Sequence, residues 1–262
     1  MKIDKVIFTA DDSHFLDFWP LQAKICKEIL NIEPVLFHIT EEESDFYNDG
    51  NGLVKKVLAS TYVQNKGAQA ACSRMYFTKY FQNEVCLISD IDLITIDKSY
   101  INSQIKNFNE DSLVIFNADG YDLNRPEAIN YINQHYFPEK LQLYPYHFNA
   151  AKGKIFDKLL GTNCSLDEWL QKHADLSKKF EDKMFWGVDE FYFSKCIKNN
   201  IDIKIHKLNR NFTSPWKVPY RIERHELSKE SVLEGIIDIN LPRPYIEYKD
   251  TIEQISNIIL NK

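Results

Sequence analysis

The sequence predicts an α/β protein with a mostly parallel central sheet flanked by helices, and three observations lead there. Short apolar runs that read as strands alternate with stretches of helical spacing through the first half of the chain. Several of those runs are apolar at nearly every position, as strands covered on both faces are. The 262 residues are 44% hydrophobic and 27% charged, enough to bury one large core under an ordinary polar surface.

The elements follow in order. "KVIFTA" (5–10) is a short apolar strand. "FWPLQAKICKEIL" (18–30) repeats apolar residues at helical spacing, with Pro20 tolerated in the first turn. "PVLFHI" (34–39) is a second strand, and "GAQAACSRMYFTKYF" (67–81) a helix with a small-residue face. It leads into a strand "VCLISDIDLI" (85–94), followed by strands "SLVIFNA" (112–118) and "YPYHFNA" (144–150). "VDEFYFSKCIKNN" (188–200) reads as a helix, "DIKIHKL" (202–208) as a strand, and "DTIEQISNIILNK" (250–262) as a closing amphipathic helix. No repeat, low-complexity tract or linker divides the chain. One domain over 1–262 is expected, with 246–262 a C-terminal helical segment packing on it.

Composition narrows the function. The net charge is −6 and no Lys/Arg block dominates any segment, which argues against a nucleic-acid partner. The run "DLSKKFEDK" reads as a solvated helix face. Five cysteines (Cys26, Cys72, Cys86, Cys164, Cys196) lie far apart without a C-x-x-C pair, a poor pattern for zinc and one that suits a reducing compartment. Cys26, Cys72 and Cys86 sit in apolar patterns and read as core. "MKIDKVIFTADD" has acids where a signal peptide needs an apolar stretch, and no apolar run approaches membrane-spanning length. The expectation is a cytoplasmic protein with no membrane span, in which the sequons "NFT" and "NCS" carry no meaning. Neither G-x-G-x-x-G nor G-x-x-x-x-G-K is present among the eight glycines.

The chemistry-bearing stretch is "NEVCLISDIDLITID" (83–97). Asp90 and Asp92 interrupt a run that otherwise reads as a buried strand, where a carboxylate is costly unless something pairs with it. In an extended strand, residues two apart share a face, so both would aim at the crevice beyond the strand end. Two such anions suit a divalent cation, Mg²⁺ or Mn²⁺. An EF-hand is excluded, because Ile91, Leu93 and Ile94 replace its polar loop. The plain alternative is a pair of surface aspartates capping a turn.

A helix bearing Arg74 followed by a strand that ends in Asp-x-Asp resembles the nucleotide-sugar glycosyltransferases of the GT-A fold, nearest to the glycogenin and galactosyltransferase group. The likeness covers most of the chain and rests on short motifs. "FTADDSHF" is similar to the first strand and loop that contact the nucleotide, which implies that role for Thr9, Ala10 and Asp11. "SRMYFTKYF" resembles the helix whose arginine reaches the donor, which implicates Arg74. The same resemblance places Asp90 and Ile91 against the nucleotide sugar. "YHFNAAKG" is similar to the "FNSG" corner, which gives Asn149 a sugar contact, although Ala151 stands where glycine is usual. "WGVDEFYF" resembles the "DQ" corner beside the reacting carbon, with Asp189 and Glu190 in place as catalytic candidates.

The departure lies near the C-terminus. The family's "HF-x-G-x-x-KPW" supplies a third metal ligand and a cation for the diphosphate. "INLPRPY" (239–245) offers Asn240 at the histidine position and Arg243 for the phosphates, with His225 of "RIERHEL" as the alternative ligand. The resemblance thus implies Mn²⁺ or Mg²⁺ on Asp90, Asp92 and Asn240, a UDP- or GDP-sugar donor, and a glycan or other hydroxyl acceptor. Arg243 and Lys217 would add positive charge at the diphosphate. Asp189 would act as base in an inverting enzyme, or position the substrate in a retaining one. Tyr121, Tyr144, Tyr146, Trp186, Trp216 and Tyr220 would suit sugar stacking, though aromatic residues are core by default. Each matched residue also has a plain structural reading: Asp11 and Asp12 beginning a helix, Asp189 favoured by a helix dipole, Asn149 as a cap.

Two other functions compete. A haloacid-dehalogenase-like phosphotransferase also carries Asp-x-Asp, but it wants Thr or Val where Ile94 stands, and its later acidic pair is missing. A carbohydrate- or nucleotide-binding relative without turnover is favoured by Asn240 at the histidine position.

Overall fold

The computed structural model describes residues 1–13, 15–121, 141–178, 187–211 and 219–261. Its strands are β1 (Lys5–Asp11), β2 (Glu33–Thr40), β3 (Tyr47–Asn48), β4 (Leu53–Leu58), β5 (Val85–Ile88), β6 (Leu93–Thr95), β7 (Leu113–Ile115), β8 (Asn149–Lys152), β9 (Ile205–Lys207), β10 (Arg221–Ile222) and β11 (Asp238–Asn240). Eight form one sheet in the order β3-β4-β2-β1-β5-β8-β7-β9, and β10, β11 and β6 form a second. Neighbours β4, β2, β1 and β5 run parallel, as do β7 and β9, while β3 and β8 enter antiparallel. The expected α/β class with a mostly parallel centre is the one found.

The two-residue period of a strand explains why the central runs are apolar throughout. Ile7, Val35, Phe37, Cys86 and Ile88 point into one core, and their neighbours Val6, Phe8, Leu36, Val85 and Leu87 into the other. Helices α1 (Trp19–Ile25), α3 (Lys98–Ile105) and α7 (Tyr245–Leu260) close the second core with Ala23, Ile101, Ile105, Ile252 and Ile255. Helices α2 (Lys66–Ser73), α4 (Gly153–Leu160), α5 (Leu166–Lys178) and α6 (Val188–Asn199) close the first with Ala68, Phe156, Trp169 and Phe191. Cys26, Cys72 and Cys86 are buried, as expected, and all five cysteines are free.

Several elements differ from expectation. The helix over 18–30 is α1 followed by a π-turn at Cys26–Leu30, which Asn31 ends in the left-handed region at φ 56°. The helix over 67–81 stops at Ser73 and resumes as a 3₁₀ segment, Tyr76–Phe81. There Phe77 stacks on Phe37 at 4.2 Å and the Thr78 hydroxyl donates to the Met75 carbonyl, so packing overrides propensity. Strand β8 begins only at Asn149, since Pro145 lacks a ladder donor and Phe148 is left-handed at φ 55°. β7 and β9 are shorter than the runs that announced them. Strand β4 went unread because Lys55 and Lys56 break its apolar run. Lys55 is nevertheless buried, with its Nζ on the Ser44 carbonyl at 2.7 Å. The closing helix starts at Tyr245, five residues before its expected start. Of the run read as a solvated helix face, residues 179–183 lie outside the described residues.

The consequential correction concerns 85–94, which is not one strand. β5 ends at Ile88, a turn closed by Leu93 N–H donating to the Asp90 carbonyl follows, and β6 departs into the second sheet. Asp90 and Asp92 therefore sit on a turn and not on one face of an extended strand.

Candidate active site

Counting outward from β1, the chain places β2 on one side and β5 on the other, so strand order reverses between β1 and β5. Ligands of open α/β sheets bind beyond the carboxyl ends of strands at such a point. A cleft of about 290 Å³ opens there. That is near the small end of ligand pockets, roughly 300–1,000 Å³.

Thr9, Ala10, Asp11, Arg74, Asp90, Ile91, Asp92, Asp189, Glu190 and Arg243 all line this cleft. They come from the end of β1, the end of α2, the turn after β5, the first turn of α6 and the segment after β11. Distant parts of the sequence meet because β11 pairs antiparallel with β6, opposing Asn240 to Leu93, and Leu241 N–H donates to the Asp92 carbonyl at 2.8 Å. That pairing delivers Arg243 to Asp92.

The first half of the cleft is held together by one arginine. The Thr9 hydroxyl donates to the Ala70 carbonyl at 2.7 Å, tying β1 to α2, and Ser13 donates to Asp11 at 2.6 Å. Gly67 of α2 faces Asp11: a Cβ there would meet Asp11 Oδ2 at 3.5 Å, an ordinary contact distance. Arg74 is buried over the Tyr146 ring, pairs with Asp90 through Nη1, and donates from Nη2 to Asp189 Oδ2 at 3.3 Å. Asp189 Oδ1 accepts the Glu190 N–H at 2.9 Å. Burial raises the Asp189 carboxyl above its ordinary value, and Arg74 pulls it back. Burial, and then the negative Asp189, push Glu190 up to about 8, against a hydrogen bond from the Tyr121 hydroxyl at 3.3 Å. Glu190 is accordingly protonated near neutrality.

The second half is dominated by Asp92. Arg243 Nε lies 3.2 Å from its Oδ2, and Arg224 Nη2 lies 3.4 Å from the same atom. Arg224 Nη2 also donates to Asn240 Oδ1 at 2.9 Å, while Asn240 Nδ2 donates to Glu223 at 3.0 Å. His147 approaches Asp90 Oδ2 at 3.6 Å. Burial, then Arg221 and Arg74, push its imidazole down to about 3, so it is neutral.

The fit of a divalent cation rests on this half. Two hard oxygens, Asp92 Oδ2 and Asn240 Oδ1, converge on a single positively charged nitrogen, and Asp90 lines the same cleft. That donor chemistry suits Mg²⁺ or Mn²⁺. Among the described residues no group of three His, Cys, Asp or Glu is placed to hold a metal, so the set depends on the Asn240 amide.

Three expected residues are elsewhere. Asn149 is fully buried and does not line the cleft; its Nδ2 donates to the Pro145 and His147 carbonyls, bracing the segment that presents His147. Asn240 stands behind Arg224 and not on the cleft wall, and His225 is exposed and absent from it. Lys217, Trp186 and Trp216 lie outside the described residues. Of the aromatics, Tyr144 and Tyr146 are core, Tyr121 bonds Glu190, and Tyr220 is exposed. Arg224, His147 and Phe15 were missed. Arg224 is one residue from the histidine that drew notice, and His147 two from Asn149, so both lay in stretches already marked.

No family model matches the chain, and no curated protein matches it. Among solved structures, the galactosyltransferase LgtC in complex with donor and acceptor sugar analogues superposes with a TM-score of 0.52 at 11% identity, over 97% of this chain and 95% of that one. An active-site mutant of LgtC gives 0.52 at 9% identity, with the same coverage of both chains. The glycosyltransferase GlyE of Streptococcus pneumoniae TIGR4 gives 0.48 at 13% identity, over 99% and 63%. The chain has the GT-A glycosyltransferase fold, and not the fold of the phosphotransferase alternative.

Proposed function

We propose that this protein is a glycosyltransferase that moves a sugar from a nucleotide-diphosphate sugar to a hydroxyl acceptor, most simply a glycan. One observation carries the reading: on a GT-A fold, the cleft at the strand-order reversal gathers Arg74, Arg224 and Arg243 with Asp90, Asp92, Asp189 and Glu190. Guanidinium groups at such a cleft suit a diphosphate, whose leaving charge must be stabilised as the bond to the sugar weakens. Thr9, Ala10 and Asp11, at the end of β1, would receive the UDP or GDP portion.

Asp189 is engaged at both oxygens and serves to hold Arg74 and the turn of α6, so the proton-handling group of the pair is Glu190. With its pKa raised to about 8 it can share a proton with a sugar or acceptor hydroxyl near neutral pH. Asp92 and Asn240, with Asp90 on the same cleft, would hold Mn²⁺ or Mg²⁺, and the ion would supply Lewis-acid stabilisation of the departing diphosphate. No helix among the described residues is long and apolar enough to cross a membrane. The free cysteines support a cytoplasmic setting.

The test is release of nucleoside diphosphate from UDP- and GDP-sugars with Mn²⁺. Turnover that falls on the order of 100-fold in Asp92→Ala, with the fold intact by circular dichroism, supports the reading. Donor binding without any release would instead establish the non-catalytic relative.

A further inference from the structure

We propose that Arg224 is a second diphosphate-binding residue, paired with Arg243, and that it gives the cleft affinity for a nucleoside diphosphate without any metal. The inference rests on the donor reading above and gives a role to Arg224, to which the sequence motifs assign none.

The three cleft arginines are not equivalent. Arg74 is 10% exposed and committed to two carboxylates, Asp90 and Asp189. Arg224 and Arg243 are each 35% exposed and share one carboxylate oxygen, Asp92 Oδ2. Two cations on one anion leave a surplus positive charge at that end of the cleft. Nearby acids do not cancel it: Asp238 is taken by Arg210 and Arg221, and Glu223 is within reach of Arg221 and accepts from Asn240. Guanidinium groups present planar forks that match phosphate oxygens in pairs, which Lys does less well. An anion with two or more charged oxygens would satisfy both.

Arg224 also occupies the point where the oxygens of Asp92 and Asn240 meet. A divalent cation drawn to those oxygens must therefore displace it, so the arginine and the metal compete in the ligand-free protein. A diphosphate that draws Arg224 away from Asn240 clears that place for the ion.

The experiment measures binding of UDP, GDP and inorganic pyrophosphate by calorimetry, in EDTA and separately in Mn²⁺, for the wild type, Arg224→Gln and Arg224→Lys. Saturable binding in EDTA is expected for the wild type, at least 10-fold weaker in Arg224→Gln and partly restored in Arg224→Lys. Mn²⁺ affinity of the ligand-free protein, read by electron paramagnetic resonance, should rise at least threefold in Arg224→Gln. An EDTA affinity in Arg224→Gln within twofold of wild type overturns the assignment. So does wild-type binding that requires Mn²⁺, an outcome that leaves the glycosyltransferase reading standing. Failure of all three probes to bind even with Mn²⁺ overturns both.

Discussion

Replacing Arg74 by Met keeps the aliphatic stem and removes the charge that two acids share. Asp189 is 5% exposed and its Oδ2 lies 3.3 Å from the guanidinium. At that separation and an effective dielectric of roughly 20, the attraction is about 5 kcal/mol. Desolvation of the arginine offsets part of it, and removing one partner of a buried pair typically costs roughly 3–5 kcal/mol. Urea unfolding at pH 7.5 should therefore show a loss of about 3 kcal/mol in Arg74→Met. The loss should shrink at pH 5. Burial already raises the Asp189 carboxyl, and without Arg74 it rises further, so the folded variant binds a proton that the unfolded chain releases above its ordinary value near 3.8. Variant stability then falls as pH rises through that window. The double variant Arg74→Met/Asp189→Asn should recover most of the loss, giving a coupling energy of roughly 2 kcal/mol. A cost below about 1 kcal/mol at both pH values, or additive single effects, would refute the claim that Arg74 holds the cleft together.

Glu190→Gln should be more stable than wild type at pH 8.5 and nearly equal at pH 5 by thermal unfolding. A carboxyl raised to about 8 loses folded-state stability as pH climbs from its ordinary value of 4.5, and the amide has no proton to lose. His173 behaves oppositely: burial pushes it down to about 4, so folded stability falls as pH drops from 6.5 toward 4. His173→Phe should remove part of the Tm loss between pH 7 and pH 5; His147, also pushed down, would keep part of the remainder. Gly153→Ala should lower Tm by roughly 3–10 °C, since overpacking costs about 1–3 kcal/mol. Its new Cβ would lie 2.2 Å from the Thr78 carbonyl oxygen and 2.6 Å from that of Phe81. An unchanged Tm would contradict the close approach of α4 to the 3₁₀ segment.

The central strands were legible because residues buried on both faces need no alternation, and Ile7, Phe37 and Leu87 say so directly. What the sequence hides is where a run changes partners. Nothing local in "LISDIDLI" tells that Leu93 pairs with Asn240, because register between strands so far apart in the chain is a tertiary matter. The same limit applies at the cleft. Asp90 and Asp92 were readable as a paired-carboxylate motif, Arg74 as a donor contact and Asp189 as a catalytic candidate, and the structure does bring them together. Asn149 was misplaced because a buried amide bonding its own loop looks, in sequence, like one that faces a ligand. Arg224 was unreadable because its neighbours Asp92 and Arg243 come from segments that only β6–β11 pairing unites. Lys55 shows a further limit: a strand position filled by a lysine whose Nζ lies 5.7 Å from the ring centroids of both Phe46 and Tyr80 reads as exposed until its neighbours are known.

On the proposed function, the mouth between β1 and β5 takes the diphosphate of an activated sugar. A crystal structure of the protein with UDP or GDP and Mn²⁺, with manganese located by its anomalous signal, tests it most directly. Phosphate oxygens are expected against Arg243 and Arg224, with a manganese peak beside Asp92. Nucleotide density anywhere other than this mouth would contradict it.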